Sequence, residues 1–183
     1  ITISIADTQT SISEEAGGTD TFTISLSEAI KAGNTVTVDV DFATGTDTEN
    51  ADFVTGAQAA LQAIADSTAG VSFNGTTLTY DSTFVGTTLS FSVTAANDIL
   101  LDSPETLNIT LSNATAVNGT ATAADSESVI VTDVDQAITI SIADTQTSIS
   151  EEAGGTDTFT ISLSEAMKAG NTVTVDVDFV TGT

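Results

Sequence analysis

Cysteine, histidine, tryptophan and arginine are all missing from this 183-residue chain. Without cysteine there is no disulfide framework. Without histidine or cysteine there is no zinc-type site and no nucleophilic triad. The only cationic side chains are Lys31 and Lys168, set against 26 acidic residues for a formal charge of −24. A chain this acidic repels phosphate, which excludes nucleic-acid partners, and it repels an anionic bilayer as well. Aromatic surface is scarce, with one tyrosine, Tyr80. A carboxylate pair such as Asp98 with Asp102 has the residue types for glycoside hydrolysis, but stacking platforms for sugar are lacking, so the expectation is a protein that is not an enzyme. No segment reads as a signal peptide or as a transmembrane run.

The chain is rich in Val, Ile, Thr and Phe, and 40% of its residues are hydrophobic. Disordered acidic chains are poor in β-branched and aromatic residues, so a folded chain is expected. Something must then offset its self-repulsion. Monovalent salt and even spacing of charge are two means; bound divalent cations are the third.

Residues 1–46 recur as residues 138–183, a period of 137 residues, with only Ile30/Met167 and Ala43/Val180 differing. Self-similarity of this kind marks a tandem array. One period suits a single domain with its own core, and the remaining 46 residues are too few to bury one. The domain reading is a complete repeat over residues 1–135 and the start of the next over 136–183. That second piece stays incomplete, pairs head-to-tail with another chain through its unpaired edges, or belongs to a sandwich split across repeats.

Hydrophobicity alternates with the strand period of two. Ile1, Ile3 and Ile5 alternate with Thr2 and Ser4; Phe22, Ile24 and Leu26 with Thr23 and Ser25; Val36, Val38, Val40 and Phe42 with Thr37, Asp39 and Asp41. Leu89, Phe91 and Val93, then Leu107, Ile109 and Leu111, then Val129 and Val131, follow the same rule. Gly17-Gly18, Gly33-Asn34, Asn74-Gly75 and Asn118-Gly119 supply turns between them. Antiparallel strands with one buried face are expected, arranged as a β-sandwich. One segment differs: 57–66 (AQAALQAIAD) is built of helix formers, with Leu61 and Ile64 three apart, and predicts a short helix in a loop, packed as a cap on the sandwich.

The acids gather at strand ends and loops. The densest set is Asn97, Asp98, Asp102 and Glu105; others are Glu14 and Glu15, then Asp47, Glu49 and Asp52, then Asp133 and Asp135. Solvated turn residues would look the same one by one. Carboxylates gathered by folding repel unless a cation sits among them, and an all-oxygen donor set suits calcium better than magnesium.

The stretch ANDILLDSPETLNITLSNA, with Asn97, Asp98, Asp102, Glu105 and a strand closing in a Leu111-Ser112-Asn113 turn, resembles the Calx-beta family. So do SISEEAGGTDTFTISLSEA from Ser11, VTVDVDFATGTDTENADF from Val36 with its Asp52-Phe53 pair, and SVIVTDVD from Ser128. Together these cover nearly all of one period in the family's order. The resemblance implies an Ig-like, Greek-key antiparallel β-sandwich that binds calcium at one end, with Glu14 or Glu15, Asp52, Asp98, the Ile99 carbonyl, Asp102, Glu105, Asp133 and Asp135 as ligands. Three departures stand out: Asn97 in place of an acid, Asp102 in place of a longer Glu, and an insertion over 57–75. Asp144, Glu151 and Glu152, the copies of Asp7, Glu14 and Glu15, would add ligands at the junction of repeats.

Long arrays of such repeats are similar to the extender regions of large bacterial RTX-type surface adhesins. The implied function is an extracellular, calcium-stiffened spacer that engages neighbouring repeats of its own chain, with calcium affinity on the order of 0.1–1 mM. Two rivals belong to other classes: a sugar- or protein-binding module using the 57–75 insertion, and a calcium sensor, which needs a bistable element that near-identical copies do not suggest.

Overall fold

The computed structural model describes residues 1–44, 53–97, 105–135, 137–167 and 172–180. These fall into two units, the first running to Val134 and the second following it.

The first unit is a β-sandwich. Its strands are β1 (Ile3–Ala6), β2 (Ser11–Ser13), β3 (Thr19–Leu26), β4 (Thr35–Thr44), β5 (Val71–Phe73), β6 (Thr77–Asp81), β7 (Thr88–Thr94), β8 (Glu105–Ala116) and β9 (Asp125–Thr132), with helix α1 (Ala57–Ser67) between β4 and β5. One sheet has the order β1-β3-β7 and the other β2-β9-β8-β4-β6-β5. Every pairing is antiparallel except β2 with β9, which run parallel from Ser11↔Ile130 to Ser13↔Thr132. The alternation read from the sequence is the alternation of burial: Ile3, Ile5, Phe22, Ile24, Val36, Val38, Leu107, Ile109 and Val129 all point inward and are buried. Phe22 stacks on Phe91 with ring centroids 5.7 Å apart, and Tyr80 lies tilted against Phe84 at 5.1 Å. Aromatic pairs of this geometry add to the area they bury.

On the outer face of β3 and β7 the threonines and serines pair as predicted for a solvated side: Thr19 with Thr94, Thr21 with Ser92 and Thr23 with Ser90, each at 2.8 Å. The helix forms where expected. Ala57, Leu61 and Ala65, spaced by four, turn one stripe onto the core, and Leu61 is fully buried. Gly70, which follows the helix, has φ +77°, and a Cβ there would lie 2.2 Å from the Phe84 nitrogen.

One expectation is corrected. Leu111-Ser112-Asn113 does not end its strand: β8 continues to Ala116. Asn113 instead takes a left-handed φ of 51° where the register slips between Thr37↔Thr115 and Asp39↔Ser112. The extra residue is a β-bulge, and the Asn113 amide donates to Asp39 Oδ2 at 3.0 Å. Asparagine tolerates this backbone because its short polar side chain bonds locally.

The second unit repeats only what is local. Strands β10 (Ile140–Asp144) and β11 (Phe159–Leu163) pair from Ile140↔Leu163 to Asp144↔Phe159, the register of β1 with β3 moved along by one period. Here the apolar side chains are bare: Ile142 is 63% exposed and Phe159 65%, where Ile5 and Phe22 are 3% and 0%. Residues 172–180 repeat the sequence of β4 but form no strand. In the first unit β4 is held by β6 on one side and β8 on the other, both drawn from the middle of the period.

Candidate metal centre

Three of the acids expected to gather, Glu15, Asp133 and Asp135, do so at one end of the sandwich. β2 ends in a tight turn in which Gly17 N–H donates to the Glu14 carbonyl and Gly18 N–H to the Ser13 carbonyl, both at 2.8 Å. Gly17 has φ +57°, and a Cβ on Gly18 would stand 2.9 Å from the Ile12 Cβ and the Ser13 nitrogen. The double glycine is therefore what lets the turn fold tightly, with Glu15 at its tip. The parallel β2–β9 pairing brings the end of β9 alongside: Glu14 N–H donates to the Thr132 carbonyl at 3.1 Å, and the Thr132 hydroxyl to the Ile12 carbonyl at 3.1 Å.

Beyond Thr132 the chain carries Asp133 and Asp135 back towards Glu15. One carboxylate oxygen from each of Glu15, Asp133 and Asp135 lies within 4.8 Å of the others; this is the one such group of three or more among the described residues. That separation is the span of two calcium–oxygen bonds of about 2.4 Å. Glu15 also accepts hydrogen bonds from the Ser13 hydroxyl at 2.5 Å and the Val134 N–H at 2.6 Å. These two contacts, the hydroxyl first, hold its carboxyl down at about 2, so Glu15 offers a negatively charged, oriented donor at neutral pH.

The other sequence-predicted residues are placed as follows. Glu14 is buried beside the group, and Glu105 opens β8 opposite Val131, at the same end of the sheet. Asp144 closes β10, and Glu151 and Glu152 form an exposed turn in the second unit; they are not members of the three-acid group. Asp52, Asp98, Ile99 and Asp102 lie outside the described residues.

A second gathering of acids was not anticipated. Asp20 begins the buried face of β3 and is completely inaccessible. Its Oδ1 accepts four hydrogen bonds: from Thr8 N–H at 3.0 Å, the Thr8 hydroxyl at 2.7 Å, Gln9 N–H at 3.0 Å and Thr21 N–H at 2.7 Å. Its Oδ2 is buried with no hydrogen-bond partner. Asp7 continues the inward face of β1, after Ile3 and Ile5. Asp125 and Glu127 continue that of β9, ahead of Val129 and Val131. Asp125 Oδ2 accepts from the Ile5 N–H at 3.0 Å. Burial, then the charge of Asp20, raises the Asp7 carboxyl above its ordinary value. Burial, then Asp7, Asp125 and Asp20, raises Glu127. The sequence does hold a signal for this group: acids at positions that the period-two pattern turns inward.

No family model matches the chain, and no curated protein matches it. Among solved structures it is similar in fold to CBD12 from CALX1.2, at 14% identity and a TM-score of 0.47 over 74% of this chain. It is also similar to the apo-form Calx CBD1 domain, at 14% identity and a TM-score of 0.40 over 73% of this chain and 98% of that one. The match spans 45% of the length of the CALX1.2 structure. Among the described residues, no helix is long and apolar enough to cross a membrane.

Proposed function

We propose that this chain is a calcium-binding extender module, one unit of an extracellular array of the bacterial RTX-adhesin kind, whose work is to hold a distal domain away from a surface. The observation that carries the reading is the convergence of Glu15, Asp133 and Asp135 to within 4.8 Å, in a chain of formal charge −24. An ion there joins the β2 turn to the segment that follows β9, offsetting the mutual repulsion of three acids. It fixes the stretch by which the chain leaves the sandwich, and a series of such fixed exits makes a stiff string of units. The near-identity of residues 1–46 and 138–183 supports spacing over recognition, because copies in series add length without adding chemistry. The rival reading, a ligand surface on the 57–75 insertion, is weakened by the burial of Ala57, Leu61 and Ala65, which makes the helix part of the core wall.

Calorimetric titration of calcium into the chelator-stripped full chain tests this. Glu15→Gln and Asp135→Asn should each weaken at least one site tenfold or more while leaving circular dichroism unchanged. Unaltered isotherms for both would remove the site.

A further inference from the structure

We propose a second cation site, made of residues other than those of the first, at the inward-facing acids Asp7, Asp20, Asp125 and Glu127, with the buried Oδ2 of Asp20 as its fixed ligand. The two sites use different residues of β9: Asp125 and Glu127 stand at its start, and Asp133 follows its end. Asp20 begins β3, just past the glycine turn that carries Glu15, and it is not a member of the three-acid group.

Three features of the seam call for a cation. First, Asp20 is wholly buried and one of its oxygens is unpartnered, and a buried acceptor left unmade costs about 1–3 kcal/mol, more if charged. Second, the four acids act on one another. The charge of Asp20 reaches both Asp7 and Glu127, and that of Asp125 reaches Glu127. Third, no positive side chain shares the seam. Lys31, the one lysine among the described residues, lies beyond Leu26, past the other end of β3 from Asp20. A trapped water would satisfy Oδ2 but leave the repulsion standing. A hard divalent cation meets both needs, because the acidic ligands on offer are all carboxylate oxygens.

No three of these carboxylates lie within 4.8 Å of one another, as expected of like charges held apart. Oδ1 of Asp20 is pinned by the β1–β2 bend, whereas Asp7 and Glu127 are only half-buried. The second unit offers a comparison. Asp157, the copy of Asp20, binds Thr145 N–H and its hydroxyl in the same way. It is only half-buried there, whereas Asp20 is completely inaccessible.

The test is calcium stoichiometry and affinity by calorimetry on the chelator-stripped full chain, with Asp20→Asn, Glu127→Gln and the first-site variant Glu15→Gln side by side. Asp20→Asn keeps an acceptor for the Thr8, Gln9 and Thr21 donors. It should bind one calcium fewer than the parent, and in chelator it should unfold at no lower a temperature. Glu127→Gln, half-exposed and safe for folding, should weaken the same ion tenfold or more. Glu15→Gln should leave this ion untouched, so failure of the first site and failure of the second are read separately. If Asp20→Asn and Glu127→Gln both bind calcium with the parent's stoichiometry and affinity, the proposal is overturned, and it is overturned equally if crystals grown in calcium show only water at Asp20 Oδ2.

Discussion

Ile24 and Ile161 are one residue of the period in two settings, and substituting each by alanine should separate burial from every other effect. Ile24 is 0% exposed, opposite Ile5 on one side and Leu89 on the other. Ile161 is 50% exposed and pairs with Ile142 alone. The two substitutions share flanking sequence, composition and net charge, so effects through the unfolded chain are matched. Ile24→Ala removes buried carbons and leaves a cavity, a loss of about 2–5 kcal/mol. For a unit of this size that lowers the melting temperature by about 7–18 °C. Ile161→Ala should change stability by less than about 0.5 kcal/mol. Thermal and urea unfolding followed by circular dichroism, with and without calcium, measure both. Equal losses, or a larger loss at Ile161, would refute the assignment of residues 1–44 to the sandwich and mean that the second copy fills it.

Two further outcomes are expected. Gly70→Ala should destabilise by at least about 2 kcal/mol, because the left-handed φ and the 2.2 Å approach to Phe84 nitrogen act together; urea midpoints will show it. Asp39 is held below its ordinary value first by the Thr77 hydroxyl and then by the Asn113 amide. Its folded value is depressed, so its contribution to stability is complete above about 3.8, the unfolded value, and is lost as pH falls through the folded value. Thr77→Val should move the Asp39 titration upward in carbon-detected NMR and shrink the acid-side loss of stability, which then ends at a higher pH.

The inward rows of Ile, Val, Leu and Phe were legible because a pleated strand turns alternate side chains to one side. The helix was legible because AQAALQAIAD lacks that alternation. Other features were set by partners distant in sequence. TVTVDVDF reads equally well as a strand in both copies, yet only the copy flanked by β6 and β8 becomes one. The Ile140–Leu163 hairpin survives because its pairing is closed within its own segment. The bulge at Asn113 was hidden because a Leu-Ser-Asn run reads the same as a strand end or as one extra residue in a continuing ladder. In the candidate site, Glu15, Asp133 and Asp135 were legible as acids next to turns and strand ends. That they meet depends on the parallel β2–β9 pairing, which no local pattern encodes. Asp20 and Glu127 were not legible as site residues because they sit in the core register of their strands and not in the loops where the other acids gather.

The most direct test of calcium as the stabilising element is thermal unfolding of the full chain in 10 mM calcium against chelator at matched ionic strength. With dissociation constants on the order of 0.1–1 mM, one site adds about 1.4–2.7 kcal/mol, which raises the melting temperature by about 5–10 °C, and Asp133→Asn with Asp135→Asn should abolish much of that rise. Superimposable curves, or an equal rise in sodium chloride, would show that screening alone holds these acids together and would contradict the account.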